Sequence, residues 1–380
     1  MRPAPRARAA ACLTFLAAAC AAGPRAVAPG PAEVPGAAGA RAPAAPVASA
    51  AAAPAPRPAD PAERRLANVR QLTFGGENAE AYFSHDGRSL TFQSTRDGRA
   101  CDQQYVVNVD GTGLARVSDG RGKTTCGWFL PGDQRLFFAS TSHAGADCPR
   151  RPDPSKGYVW GIDAFDLYTA GRDGSGMRRL TSYGVYTAEG VLSPDGRRIV
   201  FTSLKDGDLD IYTMNVDGTD VRRLTTTPGY DGGPWWSPDG TKIVYRAWHY
   251  APGDTAGLRA YRELLGQNAI RPNRMELFVM NADGSDQRQI TRLGGANFGP
   301  SWAPGGRRIV FSSNHKNPRS RNFDLYLVNL DGTGLEQVTT HGEFDGFPMF
   351  SPDGKTLVWA SNRFAAKPGD TNLFLADWRE

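Results

Sequence analysis

Four carboxylates, Glu80, Glu189, Asp231 and Asp345, stand at fixed distances ahead of a recurring turn, and their type and spacing could do chemistry. The turns end at Gly87, Asp133, Gly196, Gly240, Gly306 and Gly354. Nine residues before each lie Asn78, Thr124, Thr187, Asp231, Asn297 and Asp345, all small and polar. Seven before lie Glu80, Cys126, Glu189, Gly233, Gly299 and Phe347. If the fold gathers these positions, a ring of carboxylates and amides could hold a cation, an amine terminus or a sugar hydroxyl, or supply a general acid and base. The candidate ligand-binding set is therefore Asn78, Glu80, Thr187, Glu189, Asp231, Asn297 and Asp345, with no residue assigned a catalytic role. The plainer expectation is that these groups cap loop backbone.

Other motifs are weak. The chain has no Gly-x-Ser-x-Gly elbow, His-Glu-x-x-His pair or phosphate-binding Gly-rich loop. The five histidines, His85, His143, His249, His315 and His341, fall in turns, loops or strand ends with no partner legible. Asp206–Asp210 opens like an EF-hand, but Ile211 stands where that loop needs glycine. No cofactor or metal is expected. Asp166, Asp210, Glu276 and Asp324, with Gln103 and Asn372, recur at one position of a repeat and are expected to accept hydrogen bonds from loops.

The turns belong to a phrase written six times: apolar residue, Ser-Pro-Asp-Gly, polar pair, β-branched or aromatic run. Its copies span Phe83–Ser94, Phe129–Ser140, Leu192–Ser203, Trp236–Ala247, Trp302–Ser313 and Phe350–Ser361. The spacings are 46, 63, 44, 66 and 48, so two units carry insertions of about 20 residues. A second phrase, with Asp-Gly turns at Asp110, Asp173, Asp217, Asp283 and Asp331, follows in each unit and signals a hairpin. Each unit thus reads as four strands, a to d. The last stops after strand c, Asn372–Leu375, while Val69–Thr73 reads like a strand d. The N-terminal strand should close the ring, giving an all-β, six-bladed propeller of four-stranded antiparallel blades. Trp236 and Trp302 take the inter-blade core position of Phe83, Phe129, Leu192 and Phe350.

Two insertions decorate the face carrying the b–c and d–a loops. Thr141–Phe165 holds Pro149, Pro152, Pro154, Tyr158 and Trp160. His249–Met275 predicts a helix over Thr255–Gly266, with Leu258, Tyr261, Leu264 and Leu265 at helical spacing and Asp254 or Thr255 as cap. Arg259, Arg262, Arg271 and Arg274 make it basic. A third loop, Asn314–Asn322, adds His315, Lys316, Arg319 and Arg321.

Residues 1–19 read as a signal peptide: Arg2, Arg6 and Arg8, then an apolar stretch too short to span a bilayer. Leu16–Cys20 has the small-residue-Cys form of a lipobox, so Cys20 is the expected lipidation site. Residues 20–62, rich in Ala and Pro, read as a tether able to reach on the order of 100 Å, with the propeller over 63–380. The expected localisation is exported, in a bacterial periplasm or cell envelope, held to a membrane only through Cys20. The net charge of +5 includes three signal arginines, so the processed chain carries about +2, no nucleic-acid footprint. Beyond Cys12 and Cys20, Cys101, Cys126 and Cys148 should supply one disulfide and one thiol, with Cys126–Cys148 favoured.

Ser-Pro-Asp-Gly followed by Ile-Val-Phe, with Tyr-x-Met-Asn-x-Asp-Gly-x-x-x-Arg-Leu-Thr, resembles the TolB-type, WD40-like (PD40) propeller repeat over about residues 65–380. The resemblance implies the propeller more firmly than any activity. Where TolB has an α/β domain ahead of its propeller, the tether is expected here, and no peptidase domain is expected after the last blade. The expected function is a non-catalytic, envelope-tethered, monomeric propeller binding an envelope protein, peptide or glycan through its decorated face. The other reading is a hydrolase or lyase with its acids and bases among Glu80, Glu189, Asp231 and Asp345.

Overall fold

A computed structural model describes residues 55–58 and 60–380. Six four-stranded antiparallel sheets follow one another around an axis. Their innermost a strands are Asn78–Phe83, Thr124–Phe129, Thr187–Leu192, Gly229–Trp236, Asn297–Trp302 and Asp345–Phe350, which define blades 1 to 6. In blade 3, strand a pairs with b (Arg198–Ser203), b with c (Asp210–Asn215) and c with a short d (Arg222–Arg223). The a–b turn is set by its sequence: Ser193 Oγ donates to Asp195, which also accepts from the Arg197 amide, and Gly196 takes the positive φ of +71° that closes the turn. No helix among the described residues is long and apolar enough to cross a membrane.

The ring closes as the fragments require. Leu66–Gln71 pairs with Asn372–Trp378 as strand d of blade 6. This d strand has six residues, against two in each of the other blades. More backbone pairing therefore falls at the one seam that the chain does not cross covalently. A clasp identifies the unit as whole. In every blade the strand-d hydroxyl accepts from a strand-c amide, and in blade 6 this is Leu373 N to Thr73 Oγ1, 2.9 Å, as Ile211 N meets Thr225 Oγ1 in blade 3. The strand-c polar residues serve the same clasp: Asp166, Asp210 and Glu276 accept from Thr181, Thr225 and Thr291, and Asn372 from Thr73. Asp166 and Glu276 also accept from the loop amides of Tyr183 and Gly294.

Each blade core is a stack. Phe92, Phe138, Phe201, Tyr245, Phe311 and Trp359 hold one position of strand b and are wholly buried. The strand-c ring two residues into each c strand packs beside them, as in Phe201–Tyr212 at 5.7 Å and Trp359–Phe374 at 5.8 Å. A basic side chain at or just past the end of strand b covers that second ring: Arg96 on Tyr105, His143 on Tyr168, Lys205 on Tyr212, His249 on Phe278, His315 on Tyr326 and Arg363 on Phe374. Three of the five histidines therefore fill a structural position shared with Arg and Lys. Trp236 and Trp302 are buried between blades, as their place in the repeat requires.

Contacts to the propeller begin ahead of residue 63. Pro56 bridges Arg70, the Asp60 carboxylate accepts from Thr340, and Glu63 is buried against Arg363. Residues 1–54, including Cys20 and the signal region, lie outside the described residues.

Candidate functional site

The two sets of strand-a residues part company. Asn78, Thr124, Thr187, Asp231, Asn297 and Asp345 are completely buried at the strand starts. Most of their polar atoms are spent on the fold, Asp231 Oδ2 being buried without a hydrogen-bond partner among the described residues. Asn78 donates to Gly75, Gly76 and Thr371 carbonyls, Asn297 to those of Met275 and Gly294, and Thr187 bonds Ser203. Asp231 pairs with His249 at 2.8 Å, and Asp345 with Arg363 at 2.9 Å. Asp206 and Asp208 of the EF-hand-like segment bond Tyr212 and Tyr261.

The second set faces the axis. Glu80, Cys126, Glu189, Gly233, Gly299 and Phe347 line one central cavity. All six have φ between +51° and +58°. A bulge interrupts every strand a at this point; in blade 1 it falls between Ala79 and Tyr82. The extra residue is thrown inward. Left-handed backbone costs a non-glycine residue about 1–2 kcal/mol, and Glu80, Cys126, Glu189 and Phe347 accept that strain. The bulge itself is common to all six blades, and Gly233 and Gly299 adopt it without that cost.

Sequence reading missed Arg246, which completes the site. It stands on strand b of blade 4 where the other blades carry Gln93, Ala139, Thr202, Ser312 and Ala360, and a charge among small residues was the available signal. Its guanidinium pairs with Glu189, donates to Tyr230 Oη at 3.0 Å and lies over the Trp160 ring at 5.1 Å. Gly233 makes room for it: a Cβ there would fall 2.0 Å from Arg246 Nη1. The Gly233 amide donates to Glu189 at 2.8 Å. Glu189 is thus a satisfied ion-pair partner. Glu80 is the unbalanced acid. Burial, reinforced by the Glu189 charge, pushes its carboxyl up to about 7, although Cys126 and Arg246 pull the other way. Burial also raises the Cys126 thiol well above its ordinary value, and Glu80 adds to the effect.

The cavity is narrowed on two sides. Just along strand a, the rings of Tyr82, Trp128 and Trp235 touch at 5.0–5.2 Å, Trp235 edge to face with the other two. On the loop side, Trp160–Gly161 of the blade 2 insertion pairs with Ala269–Ile270 of the blade 4 insertion in a two-stranded ribbon. Trp160 then packs on Phe298 of blade 5, 5.6 Å away, and so spans the axis. The cavity volume is about 30 Å³. That admits a water or two, against the roughly 300–1,000 Å³ of small-molecule sites. Among the described residues no three His, Cys, Asp or Glu side chains are placed to share a metal ion.

The insertion helix forms over Thr255–Leu265, with Asp254 accepting from Gly257 N at 2.9 Å as its cap. Tyr261 and Leu265 are buried, and Tyr261 Oη donates to Asp208 at 2.7 Å, so the helix packs on its own propeller.

The disulfide expectation is corrected. Cys101 and Cys148 are joined, with Cα atoms 5.9 Å apart, and Cys126 is the buried thiol. The cause is the bulge. It turns Cys126 toward the axis, while Cys101 and Cys148 lie in neighbouring b–c loops.

The closed ring of bulged blades defines a six-bladed β-propeller protein. Residues 163–250 and 271–369 match the family described as the TolB beta propeller domain, PD40. The chain is a TolB-like, PD40-repeat β-propeller protein. No curated protein matches it in sequence. Among solved structures it is similar to a gluconolactonase from Xanthomonas campestris (15% identity, 87% of this chain and 98% of that one, TM-score 0.54). It is similar also to a structure assigned as TolB from Agrobacterium tumefaciens (18% identity, 80% and 91%, TM-score 0.52). A third similarity is to TolB from Acinetobacter baumannii (16% identity, 70% and 56%, TM-score 0.50). At these identities the likeness is one of fold.

Proposed function

We propose that this protein is a non-catalytic propeller, tethered in the cell envelope through Cys20 and residues 20–62, that binds a protein, peptide or glycan through its insertion-bearing face. The observation that carries this reading is the narrow axis. Between Tyr82 and Trp235 on one side and the Trp160 ribbon on the other there is room for only about 30 Å³, so a ligand of any size has to be met outside the channel, and the insertions enlarge one face for it. That face has room: a groove of about 600 Å³ runs between the insertions past Asp147, Arg150, Arg151, Lys156 and Gln267. Its floor is held by the Cys101–Cys148 disulfide, which fixes a loop that would otherwise lose entropy on binding. The TolB likenesses are consistent with such a role.

The enzyme reading rests on one observation, the Glu80 carboxyl raised to about 7 beside Cys126, since shifted acids gather at reactive sites. The cavity volume weighs against it.

The test is photo-crosslinking in cells, with the crosslinker placed at Arg150, at Arg262 and at Arg197 on the opposite face. Adducts of one defined mass from the first two positions and none from the third support the reading. Equal labelling from all three sinks it. Fractionation checks the tether: wild type in membranes and Cys20→Ser in the soluble fraction is expected, and soluble wild type refutes the anchor.

A further inference from the structure

Blade 4 carries a second concavity, separate from the axis. Its strands a and b, Gly229–Trp236 and Lys242–His249, have eight residues where the other blades have six. The added length lifts Trp248 and Tyr250 above the loop face, their rings 6.2 Å apart and edge to face. The insertion helix lies opposite and presents Gly257 and Ala260, three residues apart, so small side chains leave a gap. The result is a pocket of about 220 Å³ walled by Trp248, Tyr250, Tyr261, Leu264 and Ile270.

Its rim is cationic. Arg271, Asn273 and Arg274 line it and are exposed. Arg271 Nη1 donates to the Lys156 carbonyl at 2.7 Å, which fixes that side chain at the rim. The Arg274 guanidinium lies over the Trp248 ring at 5.5 Å and has no ion-pair partner among the described residues. A guanidinium held against an aromatic face and left without a counter-ion is prepared for a carboxylate.

The interior chooses between acidic ligands. Tyr261 Oη is occupied by Asp208 and the Gly229 carbonyl, and Tyr230 Oη by Arg246. The Tyr250 hydroxyl is bonded by Trp248, so the groups left free for hydrogen bonding lie at the rim, and a sugar would bury hydroxyls without partners inside. A large apolar side chain loses nothing there. We infer that this pocket captures the free C-terminus of a peptide or protein whose last residue is bulky and apolar. The side chain fills the gap between the helix and Trp248, the α-carboxylate pairs with Arg274 and Arg271, and Asn273 is placed for the last peptide group. This deepens the reading of the insertion face as a binding surface and rests on it.

The experiment is fluorescence polarisation on the intact protein. The probe is a fluorescein-labelled peptide, Gly-Ser-Gly-Ala-Ala-Phe, with a free carboxylate. Its C-terminal amide and the same peptide ending in Ser are compared with it. Amidation, the Ser ending and Arg274→Gln should each weaken binding at least tenfold. Ala260→Leu, which fills the gap from an exposed helix position, should abolish it with an unchanged melting temperature. Equal binding of acid and amide overturns the inference, as does competition by glucuronate at concentrations where N-acetylphenylalanine has no effect. No binding at millimolar peptide also overturns it; adducts at Arg150 would then still uphold the wider reading, whereas peptide capture without adducts would uphold the pocket alone.

Discussion

The Tyr82 and Trp235 rings meet at 5.2 Å, although their strands belong to blades 1 and 4, on opposite sides of the axis. Two side chains suffice to bridge the centre, so the propeller is a filled disc at this level. Trp235→Ala should cost about 3–5 kcal/mol, the range for losing a packed aromatic. It should also unblock the cavity that Trp235 shares with Cys126. Maleimide labelling of Cys126 is expected to quicken at least tenfold, with Cys126→Ala as the blank. An unchanged rate would mean that the plug does not guard the cavity.

Glu80 should give a pH signature. Its carboxyl titrates near 4.5 when unfolded and at about 7 in the fold. Between these values the native state keeps a proton that the unfolded chain has released. The stability associated with Glu80 is therefore full below about pH 4.5 and lost as pH rises through 7. Glu80→Gln cannot ionise, so it should match wild type at pH 4 and melt about 5 °C higher at pH 8. Asp210 and Asp324, raised to about 6 and 7, are common to both proteins and cancel in the difference. A gap of the same size at both pH values would contradict the assignment.

Arg363 holds Glu63, from the segment before the closing strand, at 2.9 and 3.0 Å, and Asp345 at 2.9 Å, all three side chains being buried. Removing the cation strands two carboxylates in the interior. Arg363→Ala should destabilise by about 3–5 kcal/mol, read as a lower urea midpoint. The double variant with Glu63→Gln should recover part of the loss. Additive losses would show that the two side chains do not act together.

Non-reducing peptide mapping should find Cys101 linked to Cys148. Cys148→Ser opens a loop with a sequence separation of 47 and should cost up to about 4 kcal/mol by loop entropy, while Cys126→Ala leaves the response to reductant unchanged. A Cys126–Cys148 peptide would reverse the correction made from the structure.

What could be read from sequence was what repeats. The six turns of Ser-Pro-Asp-Gly type, three of them with that sequence in full, placed strands a and b, the Asp-Gly turns placed c and d, and Val69–Thr73 matched the missing strand by its own residues. The insertion helix was legible from Tyr261 and Leu265 at helical spacing and from Asp254. The inner site was legible only as a choice between two registers, seven or nine residues before the turn. A strict two-residue alternation would send both to the same face; the bulge at Glu80 breaks it, and no composition signal marks a bulge whose residues are Glu, Cys, Gly and Phe. The ribbon between Trp160 and Ile270 joins segments about 110 residues apart through two ladder pairs, and nothing in either insertion names the other. Cys126 misled because its side chain, like that of Glu80, follows the bulge toward the axis and away from the b–c loops.

The long seam strand has an architectural corollary. Leu66 faces Trp378, and the Arg379 amide donates to the Arg65 carbonyl at 2.8 Å, so where the disc starts and where it stops are side by side. A short linker across that junction would let the circle be cut afresh at an a–b turn such as Pro238–Gly240. The recut polypeptide would keep every pairing while moving the join to another sector, and whether it still assembles would show if the six-residue zipper is needed for the circle to form or only to keep it shut.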